Sequence, residues 1–284
     1  MCRWLGGQRL RFQSWPPTKG RPLILTLSQA LHKRGSAGEP IPTTLKALHD
    51  LGIHIRRGQL HLIAAGPGTG KSALALNVAI KSAVPTMYFS ADSDAFTQYV
   101  RSAANISGWT TAQVEAAIEQ GRTEAFDAAL AGLDIRWSFD ASPDLDEIEQ
   151  SLIAYAMIYG WPALVIIDNV TNVSAPEMGE GHAALDELCA FFHDLARRME
   201  SAIVLLHHVT GPYNDGVNPI PLSGIKGQVG RVPEVILTLH RGGTEFEGYD
   251  LRVSNVKNRG GKADASGFTF ARLQWQPERM QIIG

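Results

Sequence analysis

Residues Gly66-Pro67-Gly68-Thr69-Gly70-Lys71-Ser72 constrain this chain more than anything else in it. A glycine-rich run ending in Gly-Lys-Ser is the signature of a phosphate-binding loop. Its glycines let backbone N–H groups turn inward around a phosphate with no Cβ in the way. Lys71 places a point charge at the β- and γ-phosphates, and Ser72 offers a hydroxyl to Mg²⁺. The helix that follows, opening through Ala73, adds its positive N-terminal end. The context agrees, with the apolar stretch His61–Ala65 before the loop and an alanine-rich helical pattern from Ser72 to Val84 after it. A nucleoside triphosphate site of this kind requires an α/β fold with the loop at the end of a buried strand.

The rest of the chain supplies that fold. Thr86–Ser90, Ile135–Phe139, Ala163–Asp168, Ala202–His207, Val235–His240 and Leu251–Lys257 read as strands, with a hairpin at Phe268–Gln276. Helical patterns run through Val100–Ala104, over Thr111–Ala131 and Leu145–Tyr159, and from about Ala183 to Met199. Unbroken apolar strands alternating with helices predict a mostly parallel central sheet flanked by helices on both faces. At 284 residues the chain is long enough for one large core. No apolar run approaches a membrane span, and the N-terminus lacks the apolar core of a secretory signal. Two cysteines, Cys2 and Cys189, exclude a disulfide framework and a four-cysteine zinc site, and point to a reducing, cytoplasmic setting.

Charge divides the chain unevenly. Residues 1–38 hold seven of the 26 basic residues and no acid, so the remainder carries 19 basic against 28 acidic groups. Residues 1–40 therefore read as a basic arm or linker with one helix over Leu23–Arg34, ahead of an ATPase domain at 41–284. A basic arm on an acidic body suits nucleic-acid contact, and equally a solvated leader.

The phosphate loop needs acidic partners. Asp168, after four apolar residues at the C-terminal end of a buried strand, opens onto the same crevice and is the candidate metal-holding acid beside Ser72. Asp92 and Asp94 follow the strand Thr86–Ser90, and one of them is the candidate base that orients the attacking water. The spacing leaves open which is the base and which caps the next helix.

With these residues placed, the chain from about Ile41 onward resembles the RecA-like motor domain of DnaB-type replicative helicases, in its short phage-type version. Ile41–Ser72 is similar to that family's approach to its phosphate loop. Tyr88–Arg101 (YFSADSDAFTQYVR) resembles the segment that bears the catalytic glutamate, a position held here by the shorter Asp92, with Arg101 at the spacing of the family's arginine. LVIIDN, Leu164–Asn169, matches the second acidic motif. In LLHHVT, Leu205–Thr210, His208 takes the place of the glutamine that senses the γ-phosphate. Leu222–Arg241 resembles the passage from the DNA-binding loop into the next strand. Val256–Gly261 (VKNRGG) is similar to the Lys-x-Arg-x-Gly whose basic residues reach a neighbouring subunit's site, here Lys257 and Arg259.

The resemblance implies an ATPase and DNA helicase using ATP and Mg²⁺. It further implies a homo-oligomer, either a ring (a hexamer among the options) or a filament, with sites between subunits and single-stranded DNA at its centre. The loops Thr171–Gly181 and Gly211–Ser223 would face that DNA, but they hold no Lys or Arg, so phosphate contact falls to Lys226 and Arg231. Forty residues are too few for the family's N-terminal primase-binding domain, so coupling through one is not expected. Two other readings use the same residues. One is an ATP-regulated DNA-binding filament. The other is a nuclease in which Asp92, Asp94, Asp168 and the His207–His208 pair place metal near DNA.

Overall fold

The computed structural model describes residues 24–176, 182–244 and 248–284. The chain divides into two units, 1–35 and 36–284. In the first, α1 covers Leu27–Lys33. Thr26 and Gln29 start it as a capping box, each side chain accepting from the other's backbone N–H at 3.2 and 3.0 Å. Of the helix expected over Leu23–Arg34, Leu23 lies outside the described residues, and residues 24–26 and Arg34 are not helical. Arg3, Arg9, Arg11, Lys19 and Arg21 of the basic arm lie outside the described residues.

The second unit begins with chain that the sequence reading assigns to the arm. Gly38 N–H donates to the Arg57 carbonyl and Ile41 N–H to that of Ile55, both at 2.7 Å. Then follow α2 (Lys46–Asp50), β1 (Leu60–Ala65), α3 (Lys71–Ser82), β2 (Thr86–Ser90), α4 (Ala95–Ser107), α5 (Thr111–Glu119), α6 (Glu124–Ala131), β3 (Ile135–Ser138), α7 (Leu145–Tyr159) and β4 (Leu164–Asp168). After these come α8 (His182–Met199), β5 (Ala202–His208), β6 (Val235–Thr244), β7 (Gly248–Asn258), β8 (Phe270–Gln276) and β9 (Gln281–Ile283).

One sheet carries the molecule, in the order β3-β2-β4-β5-β1-β6-β7-β8-β9. From β3 to β6 every pairing is parallel. β6 to β9 form an antiparallel meander. β1, β2 and β4 are buried along their whole length, which is why each reads as a continuous apolar run rather than an alternating one. α3 crosses the centre of the sheet, and buried Ala73, Ala75 and Ala79 let its backbone approach closely.

The structure differs from two expectations. The alanine-rich Thr111–Ala131 is two helices, parted where Gly121 takes a left-handed φ of +67°. Phe268–Gln276 is not a hairpin in itself. Its last seven residues are the single strand β8, which pairs with β9 beyond a turn at Pro277–Met280. Among the described residues no helix is long and apolar enough to cross a membrane.

The register places the chemistry. Ala65 pairs with His208, and Ser90 with Asp168. The C-terminal ends of β1, β2, β4 and β5 therefore open on one edge of the sheet. This is the edge where α/β proteins hold their ligands.

Candidate nucleotide site

The turn out of β1 is built by its glycines. Gly70 caps α3 from a φ of +112°, which a side chain would oppose. A Cβ on Gly66 would lie 2.5 Å from the carbonyl oxygen of Asn214, so only glycine lets the loop after β5 approach this closely. The loop departs from G-x-x-x-x-G-K-[ST] at one position: the place of the first glycine, five residues before Gly70, is held not by Gly66 but by Ala65, the buried last residue of β1. Pro67 and Gly68 are exposed at the tip, whereas Thr69 is fully buried beneath Gly216.

Lys71 is 8% exposed, and its Nζ donates to the carbonyls of Ala65 at 3.1 Å and Gly66 at 3.3 Å. Burial lowers its pKa, while the nearby carboxylates of Asp168 and Asp92 oppose that shift. Asp168 is 2% exposed, and its Oδ2 accepts from Tyr88 Oη at 2.9 Å. Burial raises its pKa, and hydrogen bonds from Ser72 and Tyr88 pull the other way. Ser72 and Asp168 thus already face one another. A hydroxyl and a carboxylate at the foot of a phosphate loop are hard oxygen donors, the donor class that Mg²⁺ takes.

Asp92 stands at the same place. Its backbone N–H and that of Ala91 donate to the Asp168 carbonyl at 3.3 and 2.8 Å, clamping the end of β2 to the end of β4. Its Oδ2 accepts from Asn169 Nδ2 at 2.5 Å, and the same Nδ2 lies 3.3 Å from His208 Nε2. Asp94 is occupied elsewhere: it caps α4, accepting from Thr97 N–H at 2.8 Å, and that bond lowers its pKa. Arg101 donates to Ser93 Oγ at 3.0 Å.

The two adjacent histidines differ. His207 is buried, its Nε2–H donates to the Lys226 carbonyl at 2.7 Å, and burial lowers its pKa to about 4. His208 is half-buried at the crevice, with its pKa lowered first by burial and then by the Lys71 charge. Both rings are therefore neutral near pH 7.

Three further predicted residues lie away from this edge. Asn258 pairs with Val235, which pairs with His61 at the start of β1. That level is roughly 13 Å along the strand from the phosphate loop and about 10 Å across the sheet. Lys257 Nζ there donates to the carbonyls of Pro233 at 2.6 Å and Arg231 at 3.1 Å. Arg259 donates to the Arg231 carbonyl as well, and its Nη1 lies 4.0 Å from Glu234 Oε1. Lys226, by contrast, sits with His207 near the nucleotide edge. Lys226 and Arg231 are both exposed, the first beside His207 and the second beside Lys257 and Arg259.

Trp275 of β8 was not singled out by the sequence. A Cβ on Gly70 would meet its six-membered ring at 3.4 Å, and its buried Nε1 has no hydrogen-bond partner among the described residues. The ring forms an aromatic wall beside the phosphate loop. A lone tryptophan between glutamines in a C-terminal strand gives no signal of this, because contact across more than 200 residues is invisible to spacing.

The profile of a family described as an AAA domain matches residues 31–211. The chain belongs to that family. The Gene 65 protein of Mycobacterium phage L5 is 52% identical over 263 residues, 91% of this chain and 98% of that protein. A Chlamydia trachomatis protein whose name places it among plasmid replicative DNA helicases is 24% identical over 82% of this chain and 53% of its own length. Among solved structures, the ATPase domain of G40P superposes with a TM-score of 0.75 at 16% identity, over 90% of this chain and 95% of that one. A DnaB-like replicative helicase, described with its interactions with primase, gives 0.74 at 17% identity, over 86% of this chain and 61% of that one. The fold of this AAA-domain protein is thus the RecA-like ATPase fold of DnaB-like helicases.

Proposed function

We propose that this chain is a subunit of an ATP-driven DNA motor of the DnaB-like helicase type. It hydrolyses ATP between subunits of a ring or filament and moves along single-stranded DNA. One observation carries the reading: the phosphate loop and the Lys257–Arg259 pair lie at opposite edges of the same sheet. No arginine side chain spans that separation, so Arg259 cannot serve the loop of its own subunit. That separation supports a role for Arg259 at a neighbouring subunit's loop, the role arginine fingers play.

Within one site the proposed roles are these. The loop amides of Gly66–Ala73 and the Lys71 ammonium bind the phosphates, Lys71 exchanging its carbonyl partners for phosphate oxygens. Asp92 orients the attacking water and takes up its proton as the water oxygen bonds to the γ-phosphorus and the β–γ bridging oxygen leaves with ADP. His208 faces the γ-phosphate. Ser72 and Asp168 would hold Mg²⁺, which when bound offsets charge on the β- and γ-phosphate oxygens. Lys257 and Arg259 of the adjacent subunit complete the charge on the far side. Lys226, next to His207, is the candidate DNA contact nearest the nucleotide, and Arg231 is the second. Cytoplasmic residence fits a motor of this kind.

The nuclease reading loses its constellation. Asp94 caps α4, His207 is bonded to a carbonyl, and no three His, Cys, Asp or Glu side chains converge on a metal-sized site among the described residues. The test is a forked DNA labelled at one end, incubated with Mg²⁺ with and without ATP and run on native and denaturing gels. Release of a full-length strand only with ATP is expected. Shortened strands without ATP would overturn the motor in favour of a nuclease, and binding without release would favour the filament.

A further inference from the structure

Asn169 carries none of the roles assigned above, yet it touches two of the residues that do. Its side chain is 1% exposed at the end of β4. The orientation of its carboxamide is set by Thr171. The backbone N–H of Thr171 can only donate, and it meets Asn169 Oδ1 at 2.9 Å, with the Thr171 hydroxyl on the same oxygen. The NH₂ group must therefore face the other way, where it lies 2.5 Å from Asp92 Oδ2 and 3.3 Å from His208 Nε2. Two amide hydrogens meet two acceptors. His208 Nε2 is thereby an acceptor, and its ring proton sits on Nδ1.

We infer that Asn169 is a positioning residue for ATP hydrolysis: its amide, aimed by Thr171, ties the water-orienting carboxylate of Asp92 to the γ-phosphate-facing ring of His208 in one hydrogen-bonded unit. The inference rests on the roles proposed for Asp92 and His208. Its consequence is that a change at either end of the unit is felt at the other. A His208 ring that turns toward a bound γ-phosphate releases one amide hydrogen, and the carboxamide is then free to settle on Asp92 alone. The water-orienting carboxylate would be held most firmly only when the phosphate it serves is present.

The decisive variant is Asn169→Asp, which keeps the oxygen that Thr171 holds and replaces the donor with an acceptor. At pH 8 its kcat for ATP should fall on the order of 10²-fold, the scale on which misplacement of a catalytic group acts. KM for ATP and affinity for a fluorescent nucleotide should stay within about threefold of the parent. A merely structural role would move KM and nucleotide affinity along with kcat. Parental kcat at pH 8 would overturn the inference, as would a loss of nucleotide affinity equal to the loss of kcat. If this variant fails to fold, Asn169→Ser, too short to reach either partner, replaces it: a loss of kcat at constant KM supports the inference, and unchanged kcat overturns it. Asp92→Asn, measured alongside, separates the two levels. If Asp92→Asn keeps turnover, the base assignment has failed; if it abolishes turnover while Asn169→Asp does not, only the present inference has failed.

Discussion

Lys71, Asp92 and Asp94 illustrate how much one side chain's surroundings decide. All three lie within 24 residues of one another, yet Lys71 and Asp92 converge on Asp168 while Asp94 spends its carboxylate on the first turn of α4. Lys71→Ala removes the only ammonium in the loop. It should cut phosphate release by roughly 10²-fold or more, on the scale seen when a single preorganised donor is lost. Asp92→Asn should abolish steady-state hydrolysis with nucleotide binding retained. Asp94→Ala should leave turnover within a few-fold of the parent and lower the melting temperature, since it loses a cap and not a reacting group. Malachite-green assays and thermal melts on the three proteins decide the assignment, and equal losses for Asp92→Asn and Asp94→Ala would defeat it.

At the scale of elements, the loop after β5 and the phosphate loop form one packed unit. Gly66 meets Asn214, and Gly216 meets the buried Thr69. The far side of the same segment is tied to β6, with Arg241 N–H donating to the Gly216 carbonyl at 2.6 Å and Arg241 Nη2 to the Asp215 carbonyl at 3.0 Å. A methyl group on Gly66 strikes a backbone oxygen, which cannot rotate away. Gly66→Ala should therefore cost about 1–3 kcal/mol of stability, as overpacking does. It should also make the segment around Asn214 more sensitive to limited proteolysis. A variant with parental denaturant midpoint and cleavage pattern would show that the two loops are not coupled by packing.

At the scale of the whole molecule, the separation of Arg259 from its own phosphate loop predicts complementation between subunits. Arg259→Ala and Lys71→Ala should each be inactive alone. In an equal mixture about a quarter of interfaces would pair an intact loop with an intact finger, because neighbours are drawn at random in a head-to-tail assembly. ATPase activity should return on mixing, and its absence at any ratio or concentration would remove the inter-subunit site. Stability should also depend on pH through the buried histidines. His61 and His207 are held near pKa 4 by burial, below the ordinary 6.5, so the unfolded chain binds more protons than the folded one between those values. Stability should be full above about pH 6.5 and fall as pH drops toward 4, by about 3 kcal/mol at most for each histidine. Denaturant midpoints across that range test this, and His61→Gln should flatten the slope.

What the sequence by itself determined is what is written contiguously. A phosphate loop is a run of adjacent backbone amides, so its residues announce it. A strand buried on both faces is an unbroken apolar run, so β1, β2, β4 and β5 were legible nearly to the residue, and with them the mostly parallel sheet and the place of Asp168. The C-terminal meander was less so, because antiparallel strands at a half-covered edge carry weaker patterns, and β9 has only three residues. Only the tertiary structure decided which acid faces the crevice, which histidine is sealed against Lys226, that Arg231 lies beside Lys257 and Arg259, and that Trp275 and Asn169 lie beside the phosphate loop and its acids. Each of these depends on strands far apart in sequence meeting at one edge in a particular register. Register is set by packing of the whole sheet, and no local stretch of residues contains it.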